Sequence, residues 1–389
     1  MNALVTPPLA LYVHLPWCVR KCPYCDFNSH VHKGELPEAE YVAALLEDLE
    51  RDLLLVAGRQ VQSVFFGGGT PSLFAAESVA ALLDGVRARV SLAPDVEITL
   101  EANPGTIEHG RFAGYRDAGV NRISLGAQSF GARQLQLLGR IHAASDTGRA
   151  VGELVAADLG NFNLDLMYAL PEQGLDGALT DIDAALAFAP PHLSHYQLTL
   201  EPGTVYYSRP PVLPDEDLAE AIQEAGHARL AAAGYRRYEV SAWAQPGAEC
   251  RHNLNYWRYG DYLGIGAGAH GKLTDALRGQ IMRTEKPKQP RTYLAAAAAP
   301  GIIGSRADVA LSSRPFEFML NALRLTEGFA RVEFEACTGL SLDSQQAALE
   351  IAQRRGLLAQ TATGWAPTEL GTRFLNDLQG LFLPAVLAP

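Results

Sequence analysis

"LALYVHLPWCVRKCPYCDF", residues 9–27, begins as a β-strand pattern (9–15) and ends in three cysteines. Cys18, Cys22 and Cys25 stand four and then three residues apart, and no fourth cysteine follows within the next two hundred residues. Five cysteines in a chain of 389 residues do not form a disulfide framework: the number is odd and the chain is large. A cluster of this kind holds metal or does redox chemistry. Structural zinc wants four protein ligands, usually as two separated pairs. His14, His30 and His32 are near enough in sequence to complete a Cys₃His set, so zinc stays open. The other reading is an iron–sulfur cube, whose irons are normally capped by thiolates. Three thiolates leave one iron free for an outside ligand, and that is the reading favoured here.

Outward from this stretch, short apolar runs alternate with longer helical patterns, the signature of a parallel βα array. Strands are expected at 9–15, 61–66, 96–102, 121–127, 161–167 and 192–200, with amphipathic helices such as 38–55 and 78–90 between them. The unusual residues all fall late in these strands or just after them. The cysteines follow the first strand and "GGGTPS" (67–72) the second. Glu101 ends the third, Gln128 follows the fourth, and Asp165 lies late in the fifth. In parallel α/β folds the C-terminal strand ends form the ligand face, so these features point at one mouth. Each taken alone also has a plain structural reading, as a tight turn, a cap or a surface ion pair.

The length suits one large α/β body with smaller parts. The expected fold is a partial (β/α)6 barrel over 1–215, an extension over 216–283 and a Pro-, Lys- and Ala-rich connection over 284–315. A small α+β domain, winged-helix-like, with two helices before a hairpin, follows over 316–389. A formal net charge of -11 argues against nucleic acid as the main partner. The N-terminus lacks a positively charged leader and no apolar run is long enough to span a membrane, so a cytoplasmic protein is expected. The apolar tail "GLFLPAVLAP" (380–389) is a candidate for transient membrane or client contact, against the commoner case of a tail packed on its own domain.

The CxxxCxxC spacing, with Tyr24 before the third cysteine, resembles the radical S-adenosylmethionine (SAM) superfamily. "YVHLPWCVRKCPYCDF", "FFGGGTPSLF", "EANPGT", "RISLGAQSF", "GRIH" and "NLDLMYALP" resemble the branch that contains oxygen-independent coproporphyrinogen III oxidase (HemN) and the heme chaperone family HemW. The resemblance covers most of residues 9–275. It implies a 4Fe-4S cluster on Cys18, Cys22 and Cys25, with the amino and carboxylate groups of SAM on the open iron. It further implies SAM contacts from Tyr12, Tyr24, Gly68, Gly69, Thr70, Glu101, Gln128, Arg140 and Asp165.

The oxidase carries a further cysteine two residues after the third, where this chain has Phe27, and it has a longer N-terminal extension. Both departures favour the chaperone branch, as does "HNLNYW" (252–257), which matches its HNxxYW motif. The resemblance then implies heme contact by His252, Tyr256 and Trp257, client heme proteins such as respiratory cytochromes, and a homodimer when the cluster is present. From the residues alone, hydrogen-bonded structural roles and core aromatics are the alternative, and Cys250 competes as an iron ligand. The rival function is oxidative decarboxylation of coproporphyrinogen III. "GAGAHG" (266–271) satisfies GxGxxG without the βαβ context of a dinucleotide site, and is expected to be a close-packed turn beside the mouth.

Overall fold

Four of the six expected strand segments, 9–15, 96–102, 121–127 and 161–167, alternate two kinds of side chain, and that alternation gives the sheet two faces. The computed structural model describes residues 3–56, 58–106 and 111–384. Its strands β1 (Leu9–Leu15), β2 (Val61–Gly68), β3 (Leu92–Ala102), β4 (Arg122–Gln128), β5 (Phe162–Tyr168) and β6 (His192–Gln197) lie side by side in that order, all parallel. Leu11, Val13, Val64, Phe66, Ile98, Leu100, Ile123, Leu125, Leu164 and Leu193 join the main apolar core beneath the crossover helices. Residues of the opposite parity, including Tyr12, Glu101, Arg122, Ser124, Asn163, Asp165, His192 and Ser194, line a cavity on the inner face. A parallel sheet covered on both faces reads as continuous apolar runs. Here the inner face is polar instead, which marks it as a binding surface.

The sheet does not close. Asp261–Ile265 adds a further parallel strand beside β1, and antiparallel strands His270–Asp275, Gln280–Glu285 and Ser305–Asp308 continue that edge. Ala242–Ala244 and Arg236–Arg237 extend the other edge beyond β6. The architecture is therefore a partial barrel, as the βα pattern indicated.

The outer helices follow their sequence. Glu38–Asp52 buries Tyr41, Leu45 and Leu49 at four-residue spacing, one stripe against the core. Residues 284–315, expected as a connection, carry a helix at Pro290–Ala298 and the strand Ser305–Asp308. Pro290 starts that helix where its missing N–H costs nothing, and the alanine run after it is strongly helix-forming. An enclosed ion cluster ties this segment to the barrel: Lys286 Nζ reaches Asp48 Oδ1 at 2.5 Å and Asp52 Oδ2 at 2.7 Å, and Arg306 reaches Asp52 Oδ1 at 2.7 Å.

The C-terminal part has its own core, built around Phe318, Met319, Phe329, Phe334, Leu349 and Leu357. Three helices precede the hairpin where two were expected: Arg314–Ala322, Arg331–Thr338 and Gln346–Arg354. The hairpin Leu358–Gln360 and Gly364–Pro367 is joined by Phe329–Ala330 into a small antiparallel sheet, which gives the expected wing. Gly328, at φ 69°, lets the chain meet that hairpin: a Cβ there would fall 1.9 Å from the Trp365 carbonyl oxygen. Among the described residues no helix is long and apolar enough to cross a membrane. The end of the apolar tail, 385–389, lies outside the described residues.

Candidate functional site

The cysteine loop is held in place by backbone contacts that require glycine. Gly69 N–H donates to the Leu15 carbonyl at 2.8 Å and Thr70 N–H to the Trp17 carbonyl at 2.8 Å, so the turn after β2 packs onto the segment carrying Cys18. A Cβ on Gly69 would stand 2.5 Å from the Trp17 oxygen. The far side of the loop is clamped by the "GAGAHG" turn, which lies between two strands beside the mouth: Asn28 Nδ2 donates to the Ala267 carbonyl at 2.8 Å. Lys21 Nζ closes the loop on itself by donating to the carbonyls of Phe27 and Ser29.

Each cysteine has its own hydrogen-bonding neighbour. Thr70 Oγ1 donates to Cys18 Sγ at 3.4 Å, Arg140 Nη1 to Cys22 Sγ at 3.9 Å, and Cys25 Sγ lies 3.7 Å from Ser29 Oγ. Burial pushes the Cys18 and Cys25 thiols up. The histidines that kept zinc open are engaged elsewhere. His14 bonds Tyr12 and the Asn28 carbonyl, His30 bonds Asn28 and the Lys288 carbonyl, and His32 bonds the Glu35 carbonyl. Among the described residues no group of three or more His, Cys, Asp or Glu converges as a single metal ion requires. A cube, with its cysteines on separate irons, fits three spaced thiols around a mouth.

Beneath this loop opens a cavity of about 690 Å³. Tyr12, Tyr24, Gly69, Thr70, Glu101, Gln128, Arg140 and Asp165 all line it, as do His252, Tyr256 and Trp257. Gly68 lies behind the wall, with φ 120° and its N–H directed to Glu101 Oε2 at 3.2 Å. Burial, and secondarily the Asp165 charge, raise the Glu101 carboxyl to about 8. Asp165 is itself pushed up by burial, against hydrogen bonds from Asn163, Ser194 and Ser124. Gln128 takes a left-handed φ of 68° and accepts from the Tyr196 hydroxyl at 2.7 Å. Arg140 donates to the Gly126 carbonyl and to Asn103, which aims its guanidinium at the cysteine loop.

"HNLNYW" forms the helix Arg251–Trp257, seated inside the barrel against β2 and β1. Glu97 Oε1 accepts the His252 N–H at 3.1 Å and the Cys250 thiol at 3.6 Å, fixing the helix start. Cys250 is fully buried there, its thiol raised to about 12 by burial, and it does not line the cavity. His252 stacks on Phe65 at 4.9 Å and shares a hydrogen bond with Ser63 Oγ at 3.0 Å. Its Nε2 is buried without a partner, and burial lowers the imidazole to about 3, so the ring is neutral. Arg324 covers the Trp257 ring at 4.3 Å, bringing the C-terminal part against this wall.

Comparison with known proteins agrees with this geometry. The radical SAM superfamily profile matches residues 12–185 and the HemN C-terminal domain profile matches residues 310–374. The heme chaperone HemW of Escherichia coli is 53% identical over 377 residues, covering 97% of this chain and 98% of that protein. The chain belongs to the HemW family. HemW of Haemophilus influenzae is 49% identical over 381 residues, covering 97% of this chain and 98% of that protein. Among solved structures, coproporphyrinogen III oxidase (HemN) from Escherichia coli superposes with a TM-score of 0.83 at 21% identity, over 98% of this chain and 91% of that one. At that identity the likeness speaks for the fold alone.

Within this HemW-family fold, the sequence reading missed the inner layer of the cavity. Arg122, Ser124, Asn163, His192 and Ser194 line it together with Tyr196 and Glu239. Their signal was available: polar residues at alternate positions of strands whose other positions are mostly apolar, read inward from Gln128 and Asp165.

Proposed function

We propose that this chain is a cytoplasmic heme chaperone, which binds heme and hands it to heme-requiring proteins, respiratory cytochromes among them. Cys18, Cys22 and Cys25 would hold a 4Fe-4S cluster, and the mouth residues Tyr12, Tyr24, Gly69, Thr70, Glu101, Gln128, Arg140 and Asp165 would receive SAM, with Gly68 behind them. When bound, the cluster supplies an electron-transfer centre with one iron open to an outside ligand. The protein's own part is to exclude bulk water, to present Arg140 beside the cluster thiolates and to keep Glu101 protonated near neutral pH. A homodimer in the cluster-loaded state belongs to the same reading.

The observation that carries it is the placement of His252, Tyr256 and Trp257 on the wall of the cavity that also meets the cysteine loop. A neutral imidazole with an uncommitted nitrogen is competent as an iron ligand, and flanking aromatic rings suit a porphyrin face. Anaerobic heme titration of the cluster-reconstituted protein tests this through the Soret band. Saturable binding in wild type, weakened at least tenfold and spectrally shifted in His252→Ala, is the expected result. Absence of stoichiometric binding in wild type would count against the chaperone.

A further inference from the structure

Arg122 opens β4 with its side chain on the inner face, and it is only 2% exposed. It lines the cavity, yet its Nε is buried with no hydrogen-bond partner, and no carboxylate among the described residues lies within ion-pair distance of it. The acids around it are committed to other groups. Glu97 accepts from His252 N–H and Cys250, Asp165 from Asn163 and Ser124, and Glu239 from Ser241 and Arg324. Neither neighbouring imidazole competes as a cation, since burial and Arg122 itself hold His192 and His252 well below their ordinary value. A guanidinium carries five donors and stays charged; Glu97 and Asp165 favour that charge from beyond hydrogen-bond distance, so it is the donors that are half of an interaction. What completes it is an anion, and a carboxylate matches its fork.

Position separates this group from the mouth. Arg122 and Gln128 are the two ends of β4, and six residues of strand span about 20 Å. Arg122 therefore belongs with Ser63, Asn163, His192 and the "HNLNYW" helix at the inner end, far from Gln128 and separated from Asp165 by the Asn163 side chain that donates to that acid at 2.8 Å.

The geometry points to Arg122 as the anchor for a carboxylate of the cavity's ligand, which under the heme reading is a porphyrin propionate. The inference rests on that reading for the ligand's identity and on the unpaired guanidinium for the subsite. It assigns Arg122 a part in selecting a free acid over an ester.

Metal-free protoporphyrin IX and its dimethyl ester separate this from iron ligation. Wild type is expected to bind the diacid about tenfold or more tightly than the ester, the worth of one charge-assisted pair. Arg122→Gln is expected to bring the diacid down to the ester's affinity and leave the ester and SAM unchanged, with Arg122→Lys between. The wild-type comparison stands even if a variant fails to fold. Equal affinity for diacid and ester in wild type, a preference that survives Arg122→Gln, or equal loss of both ligands and SAM in that variant would overturn the assignment while leaving heme binding intact. If wild type binds neither metal-free porphyrin, the Soret titration of heme itself decides the heme reading. Sodium propionate then decides the subsite, by raising the melting temperature of wild type and not of Arg122→Gln, or by raising neither and refuting it.

Discussion

Replacing Glu101 with glutamine should stabilise the cofactor-free protein, and only above mildly acidic pH. The carboxyl moves from its ordinary 4.5 to about 8 because burial, and then the Asp165 charge, oppose its ionisation more than the Gly68 N–H supports it. Below pH 4.5 the acid is neutral folded and unfolded, and its contribution to stability is complete. Between 4.5 and 8 the unfolded chain ionises while the folded one keeps its proton, so stability is lost as pH rises through the folded value. At about 1.36 kcal/mol per pH unit the full effect is about 5 kcal/mol. Glu101 opens onto the cavity, and solvent there reduces the figure to about 2–3 kcal/mol. Glutamine keeps the shape and does not titrate. Urea unfolding of both proteins at pH 5 and pH 9 should show Glu101→Gln gaining about 2–3 kcal/mol over wild type at the higher pH and little at the lower. A difference that stays the same at both pH values, within about 0.5 kcal/mol, would refute the reasoning. The stability withheld at neutral pH is what a cationic ligand at the mouth can offset, which ties this group to function.

Two further perturbations test the scaffold. Lys286→Met leaves Asp48 and Asp52 buried with less compensating charge and should cost about 3–5 kcal/mol in urea unfolding at pH 7. Because burial already raises Asp48, that loss should shrink as pH falls and the carboxyl takes a proton. Gly69→Ala drives a methyl against the Trp17 carbonyl, a backbone atom that cannot swing aside. It should cost about 1–3 kcal/mol and lower the iron and acid-labile sulfide recovered after reconstitution, since the displaced segment carries Cys18.

The strands were legible as short apolar runs set between helical patterns, and the mouth because chemistry-bearing residues recur at one end of them. What the sequence could not supply was depth. Gly69 reads as a ligand-facing residue, while its tightest requirement is the approach of Trp17. Arg122 sits in "NRISLGA" like any strand-opening cation; alternation with Ser124 and Gln128 marks its face, but not that its Nε ends up buried without a hydrogen-bond partner. The Ala-rich stretch 290–298 reads as a connector by composition, because the buried partners that make it a packed helix, Tyr41 and Asp48, lie some 250 residues earlier.

The most direct test of the chaperone is transfer. Cluster-reconstituted protein loaded with one equivalent of heme is mixed anaerobically with a heme-free b-type cytochrome, and the Soret band is followed with and without SAM. The account predicts that the spectrum of the holo-cytochrome develops at the expense of the loaded protein, and faster than from free heme. Heme that stays put, together with conversion of coproporphyrinogen III to protoporphyrinogen when the same preparation is given that substrate, SAM and a reductant, would contradict it.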